Sequence, residues 1–137
     1  MPISSRNIDS VIIRGDHSAT MTVNPADVMR SYIIDMDTYG LAEQAGKFCE
    51  VFREELGSDL SPFGGMEFTY SADEPYDAVF IWDIGEIRAK LSFLGDPDDS
   101  TWAVTSRRRR FRGAVSPDMR SAARSFIDRL GELRREQ

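Results

Sequence analysis

Apolar residues recur at intervals of three and four residues in two segments of the first half of the chain, which predicts two amphipathic helices. The first helix is predicted to begin at Asn24-Pro25, because Asn24 can cap a helix and proline suits the first helical position. It should end within residues 37–40. The second is predicted to end at Gly57, and its apolar stripe consists of Leu41, Ala45, Phe48, Cys49, Phe52 and Leu56.

A third helix is predicted near the end of the sequence, from Ser116 to about Arg135. Ser116 is its expected N-cap, and Pro117 falls in its first turn. The apolar positions of this segment share one side of a helix, and they are Met119, Ala123, Phe126, Ile127, Leu130 and Leu133.

Between the second and third helices, the period of the apolar positions changes to two, which is typical of half-buried strands. Strands are predicted over residues 66–70, 76–83 and 87–93. A fourth begins at Thr101 and runs into a group of arginines. A tight turn at Ile84-Gly85 would join the second and third of these strands.

The predicted turn at Ile84-Gly85 determines which charged residues of the two strands should lie opposite each other. It should bring Asp77 and Asp83 across from Arg88 and Lys90, a favourable match between neighbouring strands. Residues 8–23 predict a further hairpin, because the β-branched Val11–Ile13 and the alternating Ala19–Val23 flank a polar turn.

The resulting element order is β-β-α-α-β-β-β-β-α. It predicts an α+β fold in which helices cover one face of an antiparallel sheet of four to six strands. No stretch of the sequence resembles a linker, an internal repeat or a low-complexity segment apart from Arg107–Arg110. We therefore expect residues 1–137 to form a single α+β domain.

Composition narrows the class of protein. The chain has 137 residues, of which 41% are hydrophobic and 29% charged, as in a globular domain. No apolar run approaches the roughly 20 residues of a membrane-spanning helix, so no membrane association is expected. The first residues do not resemble a secretory signal. With one cysteine, Cys49, the chain cannot form an internal disulfide, and we expect a cytoplasmic location.

The formal net charge of −6 conceals two opposed blocks. Residues 1–106 hold 7 Lys and Arg against 19 Asp and Glu, a net of −12. Residues 107–137 hold 10 Arg against 4 Asp and Glu, a net of +6. This separation suits association with a partner or with a second copy of the chain better than the net charge alone suggests.

The segment Arg107–Arg112 is the most unusual part of the basic block. Strand alternation would place Arg108, Arg110 and Arg112 on one side, and Arg107, Arg109 and Phe111 on the other. Arginines interleaved with an aromatic residue can track a phosphate backbone and stack on bases. The structural alternatives are pairing with the protein's own acids and protection of a sheet edge against aggregation. The negative net charge disfavours nucleic acid.

Acidic residues gather around the predicted sheet, and two tyrosines flank one of its turns. Such a surface steers association with a basic protein, as in small inhibitor or immunity-like proteins, although it also serves solubility. The residues predicted to contact a basic partner are Tyr70, Asp73, Glu74, Tyr76, Asp77, Asp83 and Glu86.

Motifs for catalysis, cofactors and metals are lacking. Cys49 lies on the apolar stripe of the second helix, where a thiol acts as a small hydrophobe with a raised pKa. The only histidine, His17, falls in a polar turn. The acidic segment Asp96–Ser100 lacks the ligand spacing of a calcium loop and is predicted to be a turn. We expect no catalytic residues, no cofactor and no metal.

Three functions follow as hypotheses. The first is a non-enzymatic protein-binding domain that acts on a basic partner. The second is a structural subunit, of phage or other type, that assembles head to tail with copies of itself. The third is nucleic-acid binding through the basic strip formed by Arg107, Arg108, Arg109, Arg110 and Arg112. An enzyme that uses paired carboxylates is a fourth, less favoured alternative.

Overall fold

The computed structural model describes residues 10–14, 24–33, 40–74 and 77–137, with the backbone alone for 10–14 and 72–74. Its helices are α1 (Pro25–Ile33), α2 (Leu41–Leu56) and α3 (Met119–Arg135). Its strands are β1 (Ser10–Arg14), β2 (Glu67–Glu74), β3 (Asp77–Ile84), β4 (Ile87–Leu94), β5 (Thr101–Thr105) and β6 (Arg110–Ala114). Short 3-10 turns occupy Ser61–Phe63 and Pro97–Asp99. None of these described helices is long and apolar enough to cross a membrane.

The six strands form one antiparallel sheet in the order β1-β2-β3-β4-β5-β6. The α+β class and the antiparallel sheet are therefore confirmed. The first predicted strand, Val11–Ile13, lies within β1 and pairs with β2. The second strand of the predicted opening hairpin, Ala19–Val23, lies outside the described residues.

Side-chain alternation divides the sheet into two faces. Along β3 and β4, every second side chain is fully or almost fully buried, and these are Ala78, Phe80, Trp82, Ile87, Ala89, Leu91 and Phe93. The three helices pack against this face, as predicted. The intervening side chains lie on the opposite face, where they are partly or fully exposed. We call this the open face.

Aromatic rings join the helices to the sheet. Trp82 of β3 lies 6.1 Å from Phe52 of α2 and 6.1 Å from Phe126 of α3, measured between ring centroids. Phe63 closes the cluster at 5.4 Å from Trp82. All four side chains are fully buried, and large rings of this kind supply most of the apolar area in a small core.

The start of α1 and the end of α2 at Gly57 follow the predicted chemistry, whereas the start of α3 does not. Residues 34–39, which include most of the range where α1 is expected to end, lie outside the described residues. Asn24 Oδ1 accepts the Ala26 N–H at 2.8 Å, which confirms the cap of α1. The prediction of Ser116 as the cap of α3 is wrong. Asp118 occupies that position and accepts the Ser121 N–H at 3.0 Å, so Ser116 and Pro117 precede the helix.

The β3–β4 hairpin has a two-residue loop at Gly85-Glu86, one residue later than predicted. Gly85 has a φ of 55°, a left-handed conformation that favours glycine. The register places Asp83 across from Arg88, as expected. The other predicted match is wrong, because this loop puts Asp77 across from Leu94.

The predicted fourth strand is divided by a turn, which sequence analysis did not anticipate. The Ser106 N–H donates to the Arg109 carbonyl at 2.8 Å, and the Ser106 hydroxyl accepts the Arg109 N–H at 3.2 Å. The chain therefore reverses, and the arginine-rich segment pairs with β5 as the separate strand β6.

One buried polar cluster fastens α2 to the sheet. The Ser100 hydroxyl accepts the Leu94 N–H at 2.9 Å and donates to the Gln44 side-chain oxygen. The Gln44 side-chain nitrogen donates to the Leu94 carbonyl at 2.9 Å. Gln44 and Ser100 are 5% and 0% exposed, so their polar atoms must find their hydrogen-bond partners within this cluster.

Replacement of Ser100 tests this cluster. Ser100→Ala leaves the Leu94 N–H and the Gln44 oxygen without a partner, and it should lower the free energy of unfolding by about 2–4 kcal/mol. The measurement is urea denaturation followed by tryptophan fluorescence. Ser92→Ala, on the open face, is the matched control, with an expected change within about 0.5 kcal/mol. Equal midpoints for the two variants would contradict this account.

Candidate functional site

Two arginines of the basic strip are paired with the protein's own acids. Arg107 Nε lies 2.7 Å from Glu86 Oε1 in the neighbouring hairpin loop. Arg109 contacts Glu132 of α3 at 2.7 Å and also binds Glu136. These contacts hold the turn at Ser106 against the β3–β4 loop and the end of α3. The alternative that arginines of the strip pair with the protein's own acids is therefore correct for Arg107 and Arg109.

Arg110 and Arg112 are placed differently. They lie on the open face of β6, where they are exposed, and neither forms an ion pair with any residue that the structure describes. The register places Arg110 beside Thr105 and, one strand further, Arg88. Arg112 lies beside Ala103 and then Lys90. We call the four residues Arg88, Lys90, Arg110 and Arg112 the cationic face.

The spacing of the cationic face follows from sheet geometry. Its members on β4 and β6 are separated by one strand, or about 9.5 Å, and neighbours along each strand by about 6.7 Å. Between them runs a shallow groove of about 370 Å³, and Ser92, Thr101 and Thr105 contribute hydroxyl groups to its lining. Such a surface offers fixed positive charges and hydrogen-bonding hydroxyls to an anion.

One member of the cationic face has an internal partner. Arg88 Nε lies 2.8 Å from Asp83 Oδ1, and its second nitrogen contacts Asp83 Oδ2 at 3.1 Å. The hydrogen bonds to Asp83 raise the pKa of Arg88 above its usual value. Lys90, like Arg110 and Arg112, makes no ion pair within the described parts of the chain. Three uncompensated cations therefore lie on this face.

The aromatic residue of the strip lies on the other side of β6. Phe111 faces α3, where its ring is held between the guanidinium groups of Arg109 at 4.7 Å and Arg129 at 4.3 Å from the centroid. The predicted separation of Arg109 and Phe111 from Arg110 and Arg112 is correct. Phe111 cannot form a stacking platform together with Arg110 and Arg112, because alternate side chains point to opposite faces.

The predicted acidic contact surface is not assembled as expected. Tyr70 is 2% exposed, and its ring packs 5.0 Å from Phe80 and 5.1 Å from Tyr32. Its prediction as a surface contact is wrong, because it occupies the helix-facing side of β2. The side chains of Asp73 and Glu74, and the whole of Tyr76, lie outside the described residues.

The three remaining acids of that surface are dispersed. Asp83 and Glu86 are paired with Arg88 and Arg107, which offsets their charge. Asp77 begins β3, six residues before Asp83, so the two are about 20 Å apart along the strand. The structure thus does not bring Asp77, Asp83 and Glu86 together.

Arginines of α3 serve mainly to fasten that helix. Arg120 and Arg124 contact Glu55 of α2 at 2.7 and 3.0 Å, and Arg120 also reaches Glu54. Hydrogen bonds from Arg124, and next from Arg120, lower the pKa of Glu55. The local sequence pattern does not predict this cluster, because its members are more than 60 positions apart. Much of the basic block is therefore structural.

The remaining candidate groups are the acidic segment Asp96–Ser100 and His17. Asp96 accepts the Asp98 N–H at 3.0 Å, so the acidic segment is a turn, as predicted. No group of three or more His, Cys, Asp and Glu side chains in the described parts of the chain could hold a metal ion. His17 lies outside those parts.

Comparison of the chain with protein-family models, with curated proteins and with solved structures found no match.

Cys49 provides a test of the core around α1 and α2. Its thiol donates to the Ala26 carbonyl at 3.0 Å, and burial raises its pKa to about 11, as its place in the apolar stripe predicts. At pH 8 only about 0.1% of such a thiol is ionised, because thiolate content falls tenfold for each unit of pKa. We expect Ellman's reagent to label native Cys49 at least about 100-fold more slowly than Cys49 of the chain unfolded in guanidinium. Similar rates would show that the thiol is not enclosed.

Proposed function

We propose that this chain is a non-enzymatic protein-binding domain and that its cationic face binds an acidic segment of a partner protein. The observation that carries the proposal is the trio Lys90, Arg110 and Arg112. These cations have no ion-pair partner among the described residues, and they share a face that the described helices leave uncovered. By contrast, Arg107 and Arg109 beside them are paired, and Arg108, which is exposed and has no ion pair among the described residues, lies in the Ser106 turn.

This proposal reverses the charge of the partner relative to the first sequence hypothesis. The surface predicted to bind a basic protein is only partly available, because Tyr70 is buried and Asp83 and Glu86 are paired with arginines. The class of function, protein binding without catalysis, is unchanged. An inhibitory role fits it, because a domain that covers a partner's acidic surface needs no reactive group. The single buried thiol, Cys49, suits a cytoplasmic location.

Protein is favoured over nucleic acid as the partner. Proteins that bind single strands on a sheet usually combine cations with exposed aromatic rings that stack on bases. Trp102 borders the groove but is 6% exposed, with its ring packed against Phe126 of α3, and Phe111 lies on the opposite side, so neither offers a stacking surface beside the cations. The net charge of −6 opposes the long-range approach of nucleic acid and of an acidic protein alike, so recognition of either depends on the local cationic face.

Self-assembly has one observation in its favour. Asp98 and Asp99 are exposed in the turn before β5, and neither forms an ion pair within the described part of the chain. This acidic turn of one copy could contact the cationic face of the next, in the head-to-tail manner that the sequence hypothesis requires.

Substitution of the two arginines tests the proposal. The double variant Arg110→Ser/Arg112→Ser should bind a fluorescein-labelled oligo-glutamate about 5- to 20-fold more weakly than the unaltered chain, because each exposed ion pair contributes up to about 1 kcal/mol. Fluorescence anisotropy at low and moderate salt gives the dissociation constants. Added salt should weaken binding by the unaltered chain.

Arg30→Ser/Arg135→Ser is the matched control for the loss of two positive charges, because both are exposed arginines, on α1 and α3, that make no ion pair with described residues. It should bind as the unaltered chain does. Equal affinity of the double variant and the control would contradict the proposal. Tighter binding of oligothymidylate through the same arginines would favour nucleic acid. Salt-sensitive oligomers that the double variant abolishes, detected by sedimentation, would favour self-assembly.

A further inference from the structure

β6 is the outermost strand on its side of the sheet, and within the described residues it pairs only with β5. The hydrogen bonds at its two ends show which of its backbone groups are used. The Ser106 N–H donates to the Arg109 carbonyl at 2.8 Å, and the Val115 N–H donates to the Ser100 carbonyl at 3.0 Å.

These two bonds fix the pattern along the whole strand. In an antiparallel pair, residues that exchange hydrogen bonds with the neighbour alternate with residues that do not. Since residues 109 and 115 bond toward β5, Phe111 and Gly113 do so as well. The N–H and carbonyl groups of Arg110, Arg112 and Ala114 therefore point away from β5, toward the free edge.

The free backbone groups and the unpaired charges thus belong to the same residues. Arg110 and Arg112 extend their side chains over the open face while their backbone groups point outward along the edge. A strand that paired with this edge would place every second side chain directly beside an arginine, about 5.5 Å away between Cα atoms. Acidic side chains at those positions would complete ion pairs.

The other side of the same edge is mainly aromatic, and the two arginines that flank Phe111 there are already paired with Glu132. Phe111 lies there, partly buried against α3. The Trp102 indole lies across Gly113, so closely that a side chain at Gly113 would come within 2.7 Å of the indole nitrogen. An added strand would therefore meet unpaired arginines on one face and, on the other, the partly exposed Phe111 ring with arginines that are already paired, which favours a partner segment that alternates acidic and apolar residues.

A second copy of β6 is a poor occupant of this edge. Antiparallel pairing of two such strands across residues 110–112 would set arginines beside arginines, and like charges opposite each other are destabilising. Charged edge residues of this kind keep sheets from joining edge to edge. The same charges attract a strand of opposite sign.

We infer that the free edge of β6 accepts an extended segment of the partner protein as a seventh, antiparallel strand, with acidic residues at alternate positions beside Arg110 and Arg112. This inference rests on the proposed function and specifies its geometry. Backbone hydrogen bonds along the edge hold the segment, and the arginines select it over neutral or basic strands.

Two peptides of equal composition test the geometry. One alternates glutamate and valine, and the other has the same residues with the glutamates in one block. Both have capped ends and equal charge. Titration calorimetry should show about tenfold tighter binding of the alternating peptide, because only this peptide places an acid beside each arginine and apolar residues on the aromatic side. Equal affinities would overturn the inference.

Methylation of peptide nitrogens separates strand addition from simple charge attraction. In the antiparallel register, the glutamate N–H groups face β6 and the valine N–H groups face away. N-methylation at the glutamates should weaken binding at least about tenfold, and methylation at the valines should have little effect. Equal effects would overturn strand addition, and loss confined to the valine-methylated peptide would overturn the antiparallel register.

Amide exchange provides an independent measurement on the unaltered chain. Saturation with the alternating peptide should slow exchange of the Arg110, Arg112 and Ala114 amides by about tenfold or more, because these N–H groups gain acceptors. The Phe111 and Gly113 amides, already bonded to β5, should change much less. Unchanged exchange at all three edge amides in the bound state would overturn the inference.

A charge-neutral variant completes the test. Ala114→Pro removes an outward N–H while it keeps both arginines, and proline is tolerated where a strand N–H faces solvent. This variant should bind the alternating peptide about fivefold more weakly and leave oligo-glutamate binding unchanged. An equal loss of affinity for both ligands would count against strand addition.

The outcomes also separate the inference from the proposed function. If oligo-glutamate binds through Arg110 and Arg112 while peptide order and methylation have no effect, the inference fails and the proposed function stands. Should no acidic ligand bind, both fail.

Discussion

Packing of Trp82 against Phe52, Phe63 and Phe126 is the interaction on which the rest of the molecule depends. It joins the third strand to α2 and α3 through fully buried rings, and it commits one face of the sheet to the helices. Because side chains alternate along each strand, every position between the buried ones must lie on the opposite face. The location of the charged residues on the sheet is therefore a consequence of the core.

The same constraint explains which features could be predicted from the sequence. The apolar periods of α2, β3 and β4 are long and regular, so these elements follow directly from local pattern. The burial of Tyr70 also follows from local pattern, since Tyr70 alternates with Phe68 on β2, whereas the polar turn next to it favours exposure. Alternation was the better guide, because it reflects the packing of the whole strand.

Features that depend on contacts between distant segments cannot be predicted from the local pattern of apolar residues. The turn at Ser106 is stabilised by a serine hydroxyl and by ion pairs to Glu86 and α3, whereas the local sequence is a run of arginines without a turn signal. The pairing of Glu55 with Arg120 and Arg124 requires α2 and α3 to lie side by side. Charge counts along the chain contain no information about either arrangement.

Those contacts also change the meaning of the charge separation. Most arginines of the basic block fasten α3 or the Ser106 turn, and of the exposed arginines without an ion pair among the described residues, only Arg110 and Arg112 lie together on one strand. An edge strand exposes backbone groups that would pair with almost any extended chain, so backbone hydrogen bonding alone gives little selectivity. Arg110 and Arg112 supply it through repulsion as well as attraction, since a wrong partner must place neutral or positive side chains beside them. For this reason, protection of the edge from aggregation and recognition of an acidic strand are two results of one charge pattern.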